Sequence, residues 1–132
     1  MSEVIEQPEI VTKSKPKVEW KPLPEVESQV TVHCVVKNNG SPFCAIRVWR
    51  STYLVDAASA HQSKLLHAEG IVFQPQWQMI PMTGVARFTL IFSALPKSCK
   101  QFSFEEVIPE AGAWSVKNIK RNTMDVYNIE LI

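Results

Sequence analysis

From Gln29 onward, apolar and polar residues alternate with a period of two, the spacing of strands that bury one face. Val30, Val32, Cys34 and Val36 alternate with Thr31, His33, Val35 and Lys37. The Asn38–Pro42 stretch, NNGSP, follows; Asn-Gly between alternating runs predicts a hairpin. Its second strand runs from Cys44 to Val55. Ala45, Arg47, Trp49, Ser51, Tyr53 and Val55 share one face, and Ile46, Val48, Arg50, Thr52 and Leu54 the other. Both faces are mixed, so the pattern leaves the inward side open. Residues 56–64 (DAASAHQSK) read as a loop or one helical turn. Leu65–Phe73 reads as a weaker strand broken by Gly70, where a bulge is expected. Trp77–Ile80, between Pro75 and Pro81, reads as a short edge piece. In Val85–Ser93, Ala86, Phe88, Leu90 and Phe92 point inward. Gln101–Ile108 with Phe102 and Phe104 inward, Trp114–Ile119 and Met124–Leu131 complete the set. In the last of these Tyr127, Ile129 and Leu131 share a face.

Seven or eight short strands with no amphipathic helix predict an all-β, antiparallel sandwich or barrel. A βαβ fold needs crossover helices, and the pattern has none. Residues 1–28 differ from this domain, 29–132. They hold four of the nine prolines, no glycine and alternating charge, the composition of an extended arm. Val18 and Trp20 are expected to dock as a short edge strand, with order beginning near Lys17.

Several segments bear a family likeness: STYLVDAASAHQSKLLHAEGI, FTLIFSALPKSCKQFSFEEVIPEAGAW and VKNIKRNTMDVYNIELI. They resemble a family of small uncharacterised bacterial proteins with an immunoglobulin-like β-sandwich, over about the last two-thirds of the chain. The FTLIF strand, the LPKSCKQF turn and the NIKRN…DVY ending carry it best. The resemblance implies two antiparallel sheets and supplies no catalytic residues.

At 132 residues the chain has enough surface to bury for one core and hardly for two. A net charge of +1 argues against a phosphate backbone or anionic membrane as the main partner. The most apolar run, Val85–Leu95, carries Arg87 and is too short to span a bilayer. Glu3, Glu6 and Glu9 stand where a secretory leader carries positive charge. Either the protein is cytoplasmic or a leader has been removed, and Met1 favours the cytoplasm. Cys34, Cys44 and Cys99 form no CxxC pair. Cys34 and Cys44 would face each other across the expected hairpin, where a disulfide competes with two buried thiols.

His61, His67 and Glu69 are the candidate metal-ligating or small-ligand set of the 56–70 region. His67 and Glu69 sit at i and i+2 and so share a strand face. Asp56, Ser59, Ser63, His61 and His67 supply triad residue types, without a GxSxG elbow or an evident oxyanion hole. Glu105 and Glu106 point to opposite faces and do not act as a pair; Glu110 has no evident partner. No phosphate-cradling glycine motif occurs, and no cofactor is indicated. Lys97 and Lys100, with Lys117, Lys120 and Arg121, make a positive patch if their turns meet. Of Trp20, Trp49, Trp77 and Trp114, at least one is expected in the core. Trp77, flanked by prolines, is the one expected at the surface, forming with Met79 and Met82 an adaptable apolar patch. The expected function is a non-enzymatic interaction module whose partner is another protein.

Overall fold

The computed structural model describes residues 29–131, so the proline-rich arm and the docking of Val18 and Trp20 lie outside the described residues. Those residues form nine strands and no helix. They are β1 (Val30–Lys37), β2 (Cys44–Ile46), β3 (Thr52–Asp56), β4 (Gln62–Glu69), β5 (Gln78–Ile80), β6 (Val85–Phe92), β7 (Gln101–Glu106), β8 (Ser115–Lys120) and β9 (Val126–Leu131). Seven join in one sheet, ordered β8-β7-β3-β4-β6-β1-β9, and β2 and β5 form a separate ribbon. The large sheet is nearly closed into a barrel, with β8 and β9 as its open edges.

Register shifts bend the sheet in two places, between β7 and β8 and, more centrally, in β4. Residues 62–64 of β4 pair with β3, whereas Leu65 and residues 67–69 pair with β6. The register slips between Leu65 and His67, which leaves Leu66 as the extra residue of a bulge and half exposed. A bulge bends its strand, and here it carries β4 from one part of the sheet to the next. Gly70, where the alternation suggests the irregularity, instead ends the strand. Its φ is +81°, and a Cβ there would stand 3.0 Å from the Arg87 carbonyl oxygen, so only glycine fits.

The period-two faces assemble the core. Val30, Val32, Cys34 and Val36 of β1 meet Ala86, Phe88, Leu90 and Phe92 of β6, all buried. Phe92 meets Phe104 edge to face, with ring centroids 6.0 Å apart, and Phe102 meets Tyr127 at 4.9 Å. Sheet pairing is antiparallel except between β1 and β9, which run parallel with Thr31 beside Val126 and Val36 beside Leu131.

The hairpin predicted around NNGSP does not form: β1 pairs with β6 and β9, and β2 pairs with β5. The cause is the Asn38 side chain. Its Nδ2 donates to the carbonyls of Ser41 (2.7 Å), Ile80 (3.1 Å) and Pro81 (2.9 Å), and its Oδ1 accepts from the Ser41 N–H at 2.9 Å. Asn38 and Gly40 also donate backbone N–H groups to Gly84 and Met82. The turn is thus fastened to the segment before β6, and the chain leaves it for the ribbon. The long strand expected over Cys44–Val55 also divides. The Thr52 hydroxyl donates to the Trp49 carbonyl at 2.7 Å and turns the chain between β2 and β3. Ile46, Val48, Thr52 and Leu54 are the inward residues of this stretch, while Arg50 stays outside over the Phe73 ring.

Cys34, Cys44 and Cys99 are free thiols, and separating β1 from β2 removes the cross-hairpin placement of the first two. Burial pushes the Cys34 thiol up to about 12, and burial together with the Asp125 carboxylate pushes the Tyr127 phenol up to about 12. Both groups keep their protons in the folded chain and release them from about pH 8.5 (thiol) and 10 (phenol) when it unfolds. Stability from this source is complete below those values and is lost as pH rises toward about 12. Urea midpoints are therefore expected to fall between pH 8 and pH 10.5, and Cys34→Ala should flatten the decline.

Candidate functional site

The β2–β5 ribbon places the candidate site. Ala45 lies opposite Met79 and Ile46 opposite Gln78. Alternation turns Ile46 and Ile80 into the core and sends Phe43, Ala45, Trp77 and Met79 outward. Phe43 is 84% exposed, Met79 60%, Trp77 58% and nearby Met82 51%. Large apolar side chains are seldom left out in such a group. The ribbon is tied down from beneath, where Gln78 donates to the Gly70 carbonyl and accepts from the Val72 N–H, both at 3.1 Å.

Beside this stripe lies a hollow of about 220 Å³ lined by Trp49, Trp77, Trp114, Arg47, Glu106 and Glu110, among others. The ribbon register brings Arg47 under Trp77, its guanidinium carbon 3.8 Å from that ring's centroid and 5.2 Å from that of Trp49. Arg47 Nη1 donates to the Pro75 carbonyl at 3.2 Å and Nη2 lies 3.8 Å from Glu110. Glu106 closes β7 on the same inward side as Phe102 and Phe104, and is 8% exposed. Its Oε1 accepts from the Trp114 N–H at 3.1 Å. Beneath the hollow, out of solvent reach, Arg47 Nε and Glu106 Oε2 are buried with no hydrogen-bond partner among the described residues. Burial raises the Glu106 carboxyl above its ordinary range, against the pull of the Trp114 and Trp49 N–H groups and of Arg47.

The sequence-predicted residues fall in three places. Trp77, Met79 and Met82 share the ribbon region. His67 and Glu69 do share a face, with Nε2 and Oε2 3.2 Å apart on the exposed side of β4. His61 is not with them; it lines another hollow beside Leu95, Lys97, Arg121 and Asp125. Among the described residues no group of three or more His, Cys, Asp or Glu side chains is arranged to hold a metal ion. The triad types serve the turn after β3. Asp56 accepts from the Ser59 hydroxyl at 2.6 Å and the Ala58 N–H at 3.0 Å, bonds that hold its carboxyl below the usual range. Ser63 is fully buried and donates to the Ala94 carbonyl.

The two basic turns do meet, and Arg121 is the knot between them. It donates to both Asp125 oxygens at 2.7 and 2.9 Å and to the carbonyls of Pro96 and Cys99 at 2.6 and 3.2 Å. Burial alone would raise the Asp125 carboxyl, but Arg121 and the Tyr127 hydroxyl hold it below the ordinary range. Arg121 is therefore spent on the protein itself.

Arg47 and Glu106 escaped the sequence reading as site residues. For Glu106 a signal exists, since counting by twos from the inward Phe102 and Phe104 puts a carboxylate inside. For Arg47 there is none, because its partners Trp77 and Glu110 are remote in sequence. No helix among the described residues is long and apolar enough to cross a membrane. No family model, curated protein or solved structure matches the chain.

Proposed function

We propose that the protein is a non-enzymatic interaction module, an immunoglobulin-like sandwich of the kind its family resemblance implies, that docks another protein along the β2–β5 ribbon in the cytoplasm. The observation that carries the docking reading is the exposed stripe of Phe43, Met79 and Trp77. It lies on a ribbon whose strands have no further strand neighbour among the described residues. Unpaired edges offer main-chain hydrogen bonds to an extended segment, and the aromatic and thioether side chains give it adaptable apolar contacts. Support for the sandwich comes from the β1–β6 and β3–β7 pairs, linked through the bent β4. The cytoplasmic setting rests on the three free thiols.

Affinity capture from the native host with the full chain as bait, followed by partner identification, tests the docking reading. Trp77→Ala and Met79→Ala are each expected to weaken capture of one defined partner, Trp77→Ala by about thirtyfold. Because both side chains are more than half exposed, their melting temperatures should stay within a few degrees of the parent. Equal capture by parent and variants, or a large loss of stability in Trp77→Ala, overturns the docking reading.

A further inference from the structure

We infer that Asn39 is a covalent modification site, where spontaneous attack by the Gly40 nitrogen yields isoaspartate at a rate set by release of the fastened turn. This chemistry is independent of docking along the stripe. In the first step the Gly40 nitrogen attacks the side-chain carbonyl carbon of Asn39. The new N–C bond replaces the bond to the amide nitrogen, which leaves as ammonia carrying the proton that Gly40 gave up, and a five-membered succinimide closes. Water then adds to either imide carbonyl and breaks its C–N bond, giving aspartate or isoaspartate with one new carboxylate. Water is the sole co-reactant, and nothing is oxidised or reduced.

The fold selects Asn39 from five asparagines among the described residues. Asn38 has its amide fixed on the carbonyls of Ser41, Ile80 and Pro81. Asn122 donates to the Val126 carbonyl at 2.9 Å and accepts from the N–H groups of Met124 and Asp125. Asn118 accepts from the Gln101 side chain at 2.7 Å, and both it and Asn128 precede an isoleucine, whose branched side chain crowds the attacking nitrogen. Asn39 is exposed and precedes Gly40, where even an added Cβ would meet nothing within 4 Å. The electrophile is therefore open, and the fold withholds the nucleophile. Gly40 donates its N–H to the Met82 carbonyl at 3.1 Å with its φ held at +98°. Asn38 pins the other side of Asn39, through its N–H on the Gly84 carbonyl at 3.1 Å and through its buried amide. Reaction waits on a local opening that frees the Gly40 nitrogen, well short of unfolding the sheet.

The test holds the full chain warm at mildly alkaline pH, folded and unfolded in guanidinium chloride. Peptide mass spectrometry follows the amide-to-acid mass gain, and an isoaspartate assay identifies the product. Asn39 is expected to convert first in both states, about tenfold or more slowly in the folded chain. Asn38→Ala should speed the folded reaction severalfold. Arg121→Ala, a destabilising change remote from the turn, should convert at the parent rate. In the parent alone, hydrogen-exchange protection of the Gly40 amide should match the slowing, so a variant that fails to fold leaves the test standing. The proposal is overturned if folded and unfolded chains convert equally fast, or if another asparagine converts first. It is equally overturned if Arg121→Ala accelerates the reaction as much as Asn38→Ala does, or if Gly40 protection and the slowing disagree by more than about tenfold.

Discussion

Arg121→Ala is expected to lower the unfolding free energy by about 3 kcal/mol, the largest effect of any single substitution considered. The guanidinium joins three pieces: the turn after β6 through the Pro96 and Cys99 carbonyls, its own turn after β8, and the Asp125 carboxylate ahead of β9. Both ionic side chains are mostly buried, 17% and 12% exposed. Truncation therefore leaves a shielded carboxylate without its cation and the Cys99 carbonyl without its side-chain donor, while the Pro96 carbonyl keeps only the Cys99 N–H, the situation in which breaking an ion pair costs most. Arg121→Lys should restore only part of the loss, because an ammonium cannot match the fork that grips both Asp125 oxygens. The pH dependence follows from the same contact. Asp125 has a folded-state carboxyl below its unfolded value near 3.9, so its contribution is present above that value and lost as pH falls through the folded one. Denaturation by guanidinium chloride at pH 7 and pH 3 should show a smaller acid loss in Arg121→Ala than in the parent. A variant within 1 kcal/mol of the parent at pH 7 would show that the knot carries no weight.

Asn38→Ala should destabilise the fold by about 2–3 kcal/mol. The amide is buried, and its nitrogen serves the carbonyls of Ser41, Ile80 and Pro81. Without it these carbonyls lose their side-chain partner, and the loop leading to the ribbon keeps only its backbone bonds from Asn38 and Gly40 to Gly84 and Met82. Asn38→Asp offers a sharper comparison. It keeps the oxygen that accepts from the Ser41 N–H but turns the donor into a second acceptor facing carbonyl oxygens. It should be at least as damaging as alanine at pH 7, and less so at pH 3, where the protonated acid donates again. Urea midpoints of both variants at the two pH values decide this.

Local alternation made much of the fold legible. Val85–Ser93, with Ala86, Phe88, Leu90 and Phe92 buried, and β7, with Phe102 and Phe104 buried, follow the pattern nearly residue for residue. So does β9, whose Tyr127 and Leu131 are buried with Ile129 half-buried between them. Pairing was not legible. Asn-Gly announces a reversal of the chain, but the neighbour that β1 acquires depends on carbonyls of residues 80 and 81, far along the sequence. The break between β2 and β3 rests on the Thr52 hydroxyl and on Val48 bridging to Phe73, a partner far along the sequence. The site divides in the same way. The exposure of Trp77 and Met79 could be read from a short proline-bounded segment, with Met82 just past it, whereas Arg47 meets Trp77 only because β2 and β5 pair.

The parallel pairing of β1 with β9 sets Thr31 beside Val126 and so ties the timing of folding to the making of the chain. On the ribosome β1 waits for β6, and its other edge stays unpaired until nearly the whole described sequence has emerged. Loop closure across so many residues is slow, and a bare, mostly aliphatic edge is a template for pairing with neighbouring nascent chains. Yield in cells should accordingly depend on chaperone capacity and translation rate more than the final stability of the sheet suggests.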